Sequence, residues 1–591
     1  MKSFPFRILA AAATLTVCTS AMVSAAATGV TVPSENVVQN IEFKADLSSP
    51  TVRSALSGYD VDMISKTSGS LLGTHQTAQE LAAKGLVITK ETPYGSDFTP
   101  LAPRPEAAGS SPLPSRLAGK NYQTYFGGYK TVAAYQQFAT DIAAAYPELA
   151  QYVDYGDSWL KTKGKPGGHD LFALRITSGA QQSSDWQNNA NHKPRFVLDG
   201  QIHAREIVTS EFTSRFTTEL LNGYGSDAEV TALLDSTEIW VIFNSNPDGT
   251  AIAESGLSTA GTNSSGDAVP ASSSKAWQRK NADNTGYQSS GSSSYSNNHP
   301  GVDLNRNWGV GFGGQGTSGT PSAQEYRGPS AMSEPETQQQ SAFFTKLFGS
   351  HPVSNNNPAP LSTQGTVLTL HSYAGLVIYP YAYDNTVIPP NISGIKDLGF
   401  RQSFYNGLTA GAAGDILYNA AGGDIDWIYQ KTGVPAYTWE VGSSSEGGFF
   451  PSFSRVDSMW QKYRGGIYYA AEAAAAPYQT PAGPTPTALT ATRSGSGAVV
   501  NATGNDNTYG TKPSQSKPAA QVVQQAEYSL GSTAAAPGTG TALSLADGVA
   551  NSTTESFTGT IANLPAGQQT LFVRMKDSDG HWGPAKAVFI P

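Results

Sequence analysis

The stretch RFVLDGQIHARE, residues 195–206, gives the first indication of the fold. Residues 195–199 are apolar in the middle and predict a short strand, which a glycine then ends. Further on, Phe212, Phe216 and Leu220 recur at four-residue spacing, as on one face of a helix. A strand, a polar break and an amphipathic helix in succession are typical of an α/β sheet.

The same alternation continues on both sides of this stretch. Further strands are predicted at residues 238–243, 366–370 and 434–439, and residues 333–336 read as a capping box that starts a helix. We therefore expect residues 121–478 to form one α/β domain, with a sheet covered by helices on both faces.

The regions that flank this domain differ from it in composition. Residues 30–100 predict a small α/β domain, and residues 101–120 form a proline-rich linker. A second proline-rich linker, at residues 479–487, precedes short β-rich runs at residues 488–591. Those runs predict an all-β sandwich of immunoglobulin-like type.

The amino terminus reads as an export signal. Residues 1–27 begin with two positive charges, continue with a short apolar run and end in small residues. An N-terminal membrane anchor is the alternative interpretation, although the apolar run is short for a spanning helix. No later stretch approaches about 20 continuous apolar residues, so we expect a secreted protein without stable membrane insertion.

Composition excludes several classes of function. The chain has 591 residues, a net charge of -9 and no basic runs, which argues against a nucleic-acid partner. Its one cysteine, Cys18, lies within the predicted signal, so disulfides and Cys-ligated metals are excluded for the mature chain. Any metal site must therefore combine histidine with aspartate or glutamate.

Four residues at element edges suggest such a site. His203 and Glu206 are three residues apart, a spacing that lets both side chains face one point if they start a helix. His371 and Glu440 each follow a predicted strand, where open α/β sheets place their ligands. Individually they could be a solvated helix surface, a core histidine or an ion-paired carboxylate. Together they favour a common cleft that suits zinc, which takes imidazole and carboxylate ligands.

Residues 121–478 resemble the zinc carboxypeptidases of the carboxypeptidase A type. The similarity rests on motifs that occur in the family's order, at residues 199–206, 246–249, 277–281, 301–308, 333–337, 371–373, 418, 422–427 and 440. The run GVDLNRNW at residues 301–308 is a near-perfect family signature. The resemblance implies the family's mixed-sheet α/β catalytic domain and one Zn²⁺ ion.

The resemblance also implies roles for the residues around the metal. The positions of the family's zinc ligands are taken by His203, Glu206 and His371. Asp303 would orient His203 through a hydrogen bond. Glu440 would act as general base, and Arg279 would stabilise the oxyanion.

Five further residues match substrate-binding positions of the family. Asn305 and Arg306 would bind the substrate's terminal carboxylate, for which the planar guanidinium is well shaped. Tyr418 would close over that carboxylate, and Arg205 and Tyr373 would line the subsites upstream of the scissile bond. The resemblance therefore implies an exopeptidase that acts on peptides and proteins with a free C-terminal carboxylate.

The preferred terminal residue is less well defined by the sequence. Ile425 takes the position of the pocket floor, and an apolar floor favours aromatic or aliphatic side chains. Asp424 precedes it and Asp415 lies nearby in sequence, so an acidic wall could also admit lysine or arginine. We expect an apolar or mixed preference.

Other interpretations remain open at this stage. The same zinc chemistry could serve a cell-wall peptidase acting on γ-linked or diamino-acid peptides, or the chain could be a non-catalytic binding protein. Residues 30–115 occupy the position of a propeptide, with a retained structural domain as the alternative. For the C-terminal module, binding to a glycan or a cell surface and a role in export are all compatible with the sequence.

Overall fold

The computed structural model describes residues 37–96, 112–187, 192–289, 295, 299–510 and 516–591. The predicted signal at residues 1–27, with Cys18, lies outside the described residues, and so does most of the predicted linker at 101–120. Three sheets of four or more strands are present within the described ranges.

The amino-terminal part is a small α/β unit, as the sequence predicts. Its elements are β1 (Gln39–Lys44), α1 (Pro50–Ser54), β2 (Asp60–Ile64), β3 (Ser68–Gly73), α2 (His75–Ala83) and β4 (Val87–Pro93). The four strands pair in the order β2-β3-β1-β4, and each pair is antiparallel. Ile41, Phe43, Leu71 and Leu81 are buried between this sheet and its helices.

The central part is larger and alternates strand and helix. Its elements are β5 (Thr124–Tyr125), β6 (Tyr129–Lys130), α3 (Val132–Ala145), β7 (Ala150–Asp157), α4 (Trp159–Thr162), β8 (Asp170–Ile176), β9 (Arg195–Gly200), α5 (Val208–Gly223), α6 (Ala228–Ser236), β10 (Glu238–Ile242), α7 (Pro247–Leu257), β11 (Gly261–Thr262), β12 (Ala268–Val269), α8 (Pro335–Phe348), β13 (Thr366–His371), β14 (Leu376–Tyr379), α9 (Ile392–Asn406), β15 (Thr409–Ala412), α10 (Ala413–Ile416), α11 (Asp424–Thr432), β16 (Ala436–Glu440) and α12 (Val456–Glu472).

Eight of these strands form one mixed sheet in the order β15-β14-β16-β13-β9-β10-β8-β7. Its centre, β10-β9-β13-β16, is parallel, and antiparallel pairs flank it on both sides. Every residue of β9, β10 and β13 is buried, as expected for strands covered on both faces. Phe196 and Leu198 face one core and Val197 faces the other, so helices cover both sides of the sheet. The predicted fold class of this part is confirmed.

The parallel centre of the sheet brings three strand ends together. Gly200 ends β9, His371 ends β13 and Glu440 ends β16, all at the carboxyl edge. His371 pairs directly with Glu440 in the ladder between β13 and β16. Because parallel strands end at the same edge, side chains that are distant in sequence reach one cleft.

The carboxyl-terminal part is all β. Its strands are β17 (Thr485–Ser494), β18 (Gly497–Asn505), β19 (Val523–Leu530), β20 (Thr541–Leu545), β21 (Thr554–Ile561), β22 (Gln569–Asp577) and β23 (Lys586–Ile590). They pair antiparallel in the order β17-β18-β21-β20-β19-β22-β23, with β20 joining the two halves. Leu571, Val573 and Met575 alternate into the core between the halves. This arrangement agrees with the predicted β-sandwich.

The β module is attached to the central part by buried charges. The guanidinium of Arg401, on α9, donates to the carbonyl oxygens of Pro481, Gly483 and Asp506 and to the Asp506 carboxylate, at 2.8 to 2.9 Å. The guanidinium also lies 3.7 Å from the centre of the Tyr509 ring. Arg401 and the Asp506 side chain are both fully buried. The interface between the two parts is therefore buried and hydrogen-bonded, as in a protein interior.

Two local predictions were wrong. His203 and Glu206 lie in the turn between β9 and α5, because the helix begins only at Val208. The helix after residue 333 begins at Pro335 with Glu334 as its N-cap and without a side-chain capping bond. The carboxylate of Glu336 instead accepts a hydrogen bond from the Trp159 backbone N–H at 2.8 Å, so tertiary contacts replaced the capping box.

A helix that crosses a bilayer needs about 20 predominantly apolar residues. Within the parts of the chain that the structure describes, no helix is both long and apolar enough to cross a membrane.

Candidate active site

Three buried side chains converge at the carboxyl edge of the sheet. Nδ1 of His203 lies 2.8 Å from Oε1 of Glu206, and Nδ1 of His371 lies 3.2 Å from Oε2 of the same carboxylate. The two Nδ1 atoms are 3.1 Å apart. Each of the three residues is at most 3% exposed. Two imidazole nitrogens and a carboxylate thus share one small volume away from solvent.

This donor set fits a zinc ion. The ligand atoms of the three residues all lie within 4.8 Å of one another, and among the described residues no other such group of histidine and carboxylate side chains occurs. Burial alone would raise the pKa of Glu206, but the two imidazoles outweigh it and hold that pKa below its ordinary value. Zinc binds an ionised carboxylate and neutral imidazoles, and three protein ligands leave a fourth position open.

Asp303 connects this triad to Arg279. Its Oδ1 lies 3.2 Å from Nε2 of His203, and its Oδ2 accepts a hydrogen bond from Nε of Arg279 at 3.0 Å. Burial opposes ionisation of this fully buried carboxyl, yet Arg279 and His203 together hold its pKa well below the usual range. Asp303 therefore fixes both the ring of His203 and the position of the Arg279 guanidinium.

Glu440 is the second carboxylate of the site. Burial raises its pKa to about 8, and the nearby Glu206 carboxylate adds to the rise, while Arg279 opposes it. Glu440 lines the same cavity as the triad. A carboxylate in such a setting exchanges protons near neutral pH.

The cavity has a volume of about 780 Å³, its open mouth included, and it also contains two groups suited to a carboxylate ligand. Arg306 is held by Nε, which donates to the Gly316 carbonyl at 2.7 Å, and by Nη1, which donates to the Asn305 carbonyl at 2.8 Å. Oδ1 of Asn305 accepts a hydrogen bond from the Asp424 backbone at 3.0 Å. Both side chains are thereby oriented within the same cavity as the triad.

Beyond this polar region the cavity is apolar. Ile425, which is 2% exposed, lines it. The other apolar lining residues here are Ile378, Ala382, Ala413 and Leu417. Asp424, beside Ile425, is equally buried, and its Oδ2 has no hydrogen-bond partner among the described residues. Burial raises the pKa of this carboxyl. Ile425 and Asp424 thus both line the apolar part of the cavity.

The remaining predicted residues lie around the same cavity. Tyr418 lines it, and burial raises the pKa of its hydroxyl to about 12. Tyr373 also lines it, and its ring packs edge-on against Phe449 with 4.8 Å between centres. The Arg205 guanidinium lies 4.2 Å from the centre of the same Phe449 ring. All predicted site residues except Asp303 and Arg205 line this cavity, and these two contact lining residues, His203 and Phe449 respectively.

The amino-terminal part contributes residues that the sequence did not indicate. Asp60 and Val61, on β2, line the cavity with the triad. Asp60 forms an ion pair with Arg205, with 2.5 Å between Oδ1 and Nη2. The two residues are 145 positions apart, and no sequence signal links them.

The arrangement defines a metal-dependent hydrolytic site. It combines a histidine–carboxylate triad, a carboxyl whose pKa is raised to about 8 and an arginine that Asp303 holds in the same cavity. Such a set can activate water and stabilise an oxyanion.

Comparison with known proteins agrees with this class. The family model described as zinc carboxypeptidase matches residues 135–465. Carboxypeptidase A1 of Bos taurus is 27% identical over 346 residues, which cover 57% of this chain and 67% of that protein. Carboxypeptidase B of Bos taurus is 24% identical over 361 residues, covering 60% and 72%. The chain belongs to the zinc carboxypeptidase family.

Solved structures show the same fold. The carboxypeptidase A from Helicoverpa armigera matches with a TM-score of 0.54 and 20% identity, over 74% of this chain and 97% of that chain. Thrombin activatable fibrinolysis inhibitor matches with a TM-score of 0.50 and 17% identity, over 74% and 99%. The resemblance to the carboxypeptidase A type is confirmed. The protein is a zinc metallocarboxypeptidase that uses one zinc ion and acts on peptides or proteins with a free C-terminal carboxylate.

Proposed function

We propose that the protein is a secreted exopeptidase that hydrolyses the last peptide bond of its substrates. The observation that carries this proposal is a single cavity lined by His203, Glu206, His371, Glu440 and Arg306. A substrate carboxylate bound by Arg306 would lie in the same cavity as the metal ligands and Glu440, the proposed general base. Binding of the chain terminus then selects the bond that is cut.

Each residue near the metal has a separate task in this proposal. His203, Glu206 and His371 would hold zinc, which supplies Lewis-acid activation of water and of the scissile carbonyl. Glu440 takes the proton of the attacking water and passes it to the leaving amine, a transfer that suits its pKa of about 8. Arg279, fixed by Asp303, stabilises the negative charge that develops on the carbonyl oxygen.

Arg306 and Asn305 bind the terminal carboxylate of the substrate, and Tyr418 closes over that carboxylate. Because two backbone carbonyls fix Nε and Nη1 of Arg306, the guanidinium loses little freedom when a carboxylate binds. Tyr418 follows α10 in a loop and is half-buried, so its hydroxyl can approach the bound carboxylate. Tyr373 and Arg205 would contact the residues upstream of the scissile bond.

For the terminal side chain we propose an apolar or aromatic preference. Ile425 and the neighbouring aliphatic side chains give the pocket apolar walls. The unpartnered Oδ2 of Asp424 adds one acceptor, which would let lysine or arginine enter as secondary substrates. Replacing Asp424 with asparagine should therefore reduce the rate for a terminal lysine more than the rate for a terminal phenylalanine.

We propose that residues 30–100 are a propeptide that keeps the enzyme latent. The support is the position of Asp60 and Val61 in the cavity, since a substrate needs the same space. Two further contacts hold the domain over the cleft. Nη1 of Arg53 donates to the Leu417 carbonyl at 3.3 Å, and the Tyr94 hydroxyl accepts from the Phe449 backbone at 3.1 Å. Cleavage between residues 96 and 112, followed by release, would open the active site.

For residues 488–591 we propose a structural role in addition to any binding of a glycan or cell surface. The support is the buried Arg401–Asp506 pair and a second contact between Lys586 and Glu472, at 2.6 Å. A module joined in this way moves with the catalytic domain. Retention on insoluble polysaccharide, compared with a variant altered on the exposed strands, tests the binding role separately.

The deciding experiment is release of a free amino acid from blocked dipeptides ending in Phe, Leu, Lys or Glu. The full chain and the chain cut between residues 96 and 112 are compared, each with and without a zinc chelator. We expect release by the cut form, loss with chelator and recovery with added zinc. The order of the four substrates tests the roles of Ile425 and Asp424.

Two results would change the proposal. Activity on a muropeptide, with none on any blocked dipeptide, would replace the ordinary peptide substrate with a cell-wall peptide. Equal activity of the uncut and cut chains would exclude the propeptide role while leaving the exopeptidase intact.

A further inference from the structure

The catalytic domain surrounds the Asp60 carboxylate with three hydrogen-bond donors. Nη2 of Arg205 lies 2.5 Å from Oδ1, and Nε2 of Gln324 donates to the same oxygen at 3.2 Å. The hydroxyl of Tyr295 donates to Oδ2 at 2.6 Å. All three donor residues are buried, at 3% exposure or less. Asp60 is thus bound as a carboxylate ligand would be.

These donors are positioned by the catalytic domain itself. The Arg205 guanidinium rests on the Phe449 ring, and the Tyr295 ring packs edge-on against Trp277 with 4.8 Å between centres. The Tyr295 hydroxyl also approaches the Leu72 carbonyl of the amino-terminal domain at 3.3 Å. Because the ring supports lie outside that domain, we expect both donors to keep their positions when it leaves.

Gln324 is fixed through its own loop. Nζ of Lys280 donates to the carbonyl oxygens of Pro321 and Ala323, each at 2.8 Å. Nη2 of Arg205 also approaches Oε1 of Gln324, at 3.4 Å, which links the two donors to each other. The three groups therefore form a preorganised site.

Arg205 has further unused hydrogen-bonding capacity. Its Nε and Nη1 are buried and have no acceptor among the described residues. An arginine that is 0% exposed requires acceptors, because unpaired buried donors are costly. Departure of Asp60 would leave Nη2 with only the 3.4 Å contact to Gln324, so the site favours an anionic replacement.

The location of the site relates it to the substrate. Arg205 is two residues from His203, and Val61, next to Asp60, lines the cavity that contains the triad. Phe449 contacts both Arg205 and Tyr373, the two residues proposed to contact the substrate upstream of the scissile bond. A side chain in this site would belong to a residue upstream of the scissile bond.

We propose that Arg205, Tyr295 and Gln324 form a carboxylate-binding subsite, which takes an aspartate or glutamate side chain one or two residues before the scissile bond. In the uncut chain Asp60 fills this subsite. The inference rests on the proposed exopeptidase function and extends it to the substrate sequence. It makes the enzyme selective for peptides with an acidic residue near the terminus.

One carboxyl opposes this preference. Glu325 follows Gln324 and lies beneath the turn at Gly58, where a Cβ atom would stand 3.4 Å from Oε2. Burial raises the pKa of Glu325, Arg279 and Arg306 lower it, and Asp60 contributes to the rise. In the cut form Glu325 would repel a substrate carboxylate. The variant Glu325→Gln should therefore strengthen the preference for an acidic residue.

The test uses the cut protein and blocked tripeptides and tetrapeptides ending in Phe. Pairs of peptides differ only in Glu or Gln at the first or the second residue before the scissile bond. We expect kcat/KM to be about tenfold higher for Glu at one of these positions, the range of a charge-assisted hydrogen bond. A ratio near one at both positions would overturn the proposal.

Variants assign the effect to the subsite. Tyr295→Phe and Gln324→Ala should each lower the Glu/Gln ratio about threefold or more. Tyr287→Phe removes a hydroxyl elsewhere in the same loop and should leave the ratio unchanged. Because each ratio is taken within one variant, a general loss of activity cancels. Ratios that stay at the wild-type value in both subsite variants would contradict the assignment.

A binding measurement separates this inference from the proposed function. Affinities are measured for two peptides with a non-hydrolysable terminal bond that differ only in Glu or Gln. Tighter binding of the Glu peptide supports the subsite even if no substrate is turned over. Equal affinities would contradict the subsite, whereas release from the blocked dipeptides would still support the exopeptidase.

Discussion

Arg401 and Asp506 form an ion pair, with 2.8 Å between Nη2 and Oδ1, across the junction between the catalytic domain and the β module. Neither side chain is exposed to solvent, and Arg401 also donates to three backbone carbonyls. Removing one member of a buried pair leaves the other charge without its counterion, which is far costlier than loss of a surface pair.

We expect Arg401→Met to lower the free energy of unfolding by about 3 to 5 kcal/mol. Urea unfolding followed by fluorescence measures the change. The exposed substitution Lys346→Ala should alter the free energy by less than about 0.5 kcal/mol. Adding Asp506→Asn to Arg401→Met should recover part of the loss, and strictly additive effects would show that the pair is not coupled.

The contact between Asp60 and Arg205 predicts the activity of the uncut chain. Asp60→Asn keeps the side-chain size but removes the charge, so the amino-terminal domain should bind the cleft less tightly. We expect the uncut variant to hydrolyse a blocked dipeptide about tenfold faster than the uncut wild type. Asp46→Asn, in an exposed position of the same domain, is the matched control. An unchanged rate for Asp60→Asn would mean that the ion pair does not contribute to latency.

The fixed guanidinium of Arg306 predicts how the enzyme recognises a chain terminus. Arg306→Ala should reduce kcat/KM for peptides with a free terminus by about 100-fold or more, because two charge-assisted hydrogen bonds are lost. Zinc content, measured by atomic absorption, should not change. The wild type should prefer a free terminus to an amidated one, and the variant should not. Retention of this preference in Arg306→Ala would assign terminus recognition to another residue.

The contacts of Asp303 with His203 and Arg279 predict that Asp303 strengthens zinc binding. Asp303→Asn leaves His203 without its charged partner and Arg279 without its anchor. We expect zinc to dissociate more readily, with an affinity about 10- to 100-fold lower, as for other partners of metal ligands. Transfer of zinc to a chromogenic chelator measures the change. The substitution Asp283→Asn lies in the same region of the chain and should leave the transfer unaffected.

The raised pKa of Glu254, a residue outside the active site, predicts that the stability of the protein depends on pH. Burial raises the pKa of Glu254 to about 7 from an ordinary value of 4.5, and Oε1 accepts a hydrogen bond from the Val132 backbone at 2.8 Å. Because the folded-state pKa is raised, its contribution is fully present below pH 4.5 and is lost as the pH rises through 7.

The variant Glu254→Gln keeps the acceptor oxygen and removes the titration. Between pH 4.5 and 7 the unfolding free energy of the wild type should fall relative to the variant, by at most about 3 kcal/mol. Urea unfolding at pH 5 and pH 8 provides the comparison. As a control, Asp185→Asn at an exposed position should show the same pH dependence of the unfolding free energy as the wild type. The same pH dependence in wild type and Glu254→Gln would refute the assignment.

The sequence predicted the elements that hold the metal triad because local patterns encode them. The strands that end at His371 and Glu440 are mostly apolar, and their parallel pairing places both residues at one edge. The motif order then identified the family. The details of local geometry were less predictable. His203 and Glu206 lie in a turn, because the chain needs several residues between the end of β9 and the start of α5.

Contacts between distant parts of the chain were not predictable from local pattern. Asp60 meets Arg205 only because a separate four-stranded domain docks over the cleft. Tyr295 lies in a stretch rich in serine and asparagine, yet it is 3% exposed. Arg401 looks like an ordinary charge on α9 until the β module covers it. Each of these depends on packing between units, which hydrophobic periodicity does not describe.

In the uncut protein, Asp60 and the cleft that binds it belong to one polypeptide chain, and this has a kinetic consequence. Under the proposed propeptide role, blocking of the cleft in the intact chain would be an intramolecular event, which dilution of the enzyme would not relieve. After one peptide bond in the connection is cut, the same contact becomes bimolecular, and its occupancy depends on concentration. Newly cut enzyme at high concentration would therefore remain partly blocked and gain activity on dilution, whereas the uncut chain would respond to proteolysis alone.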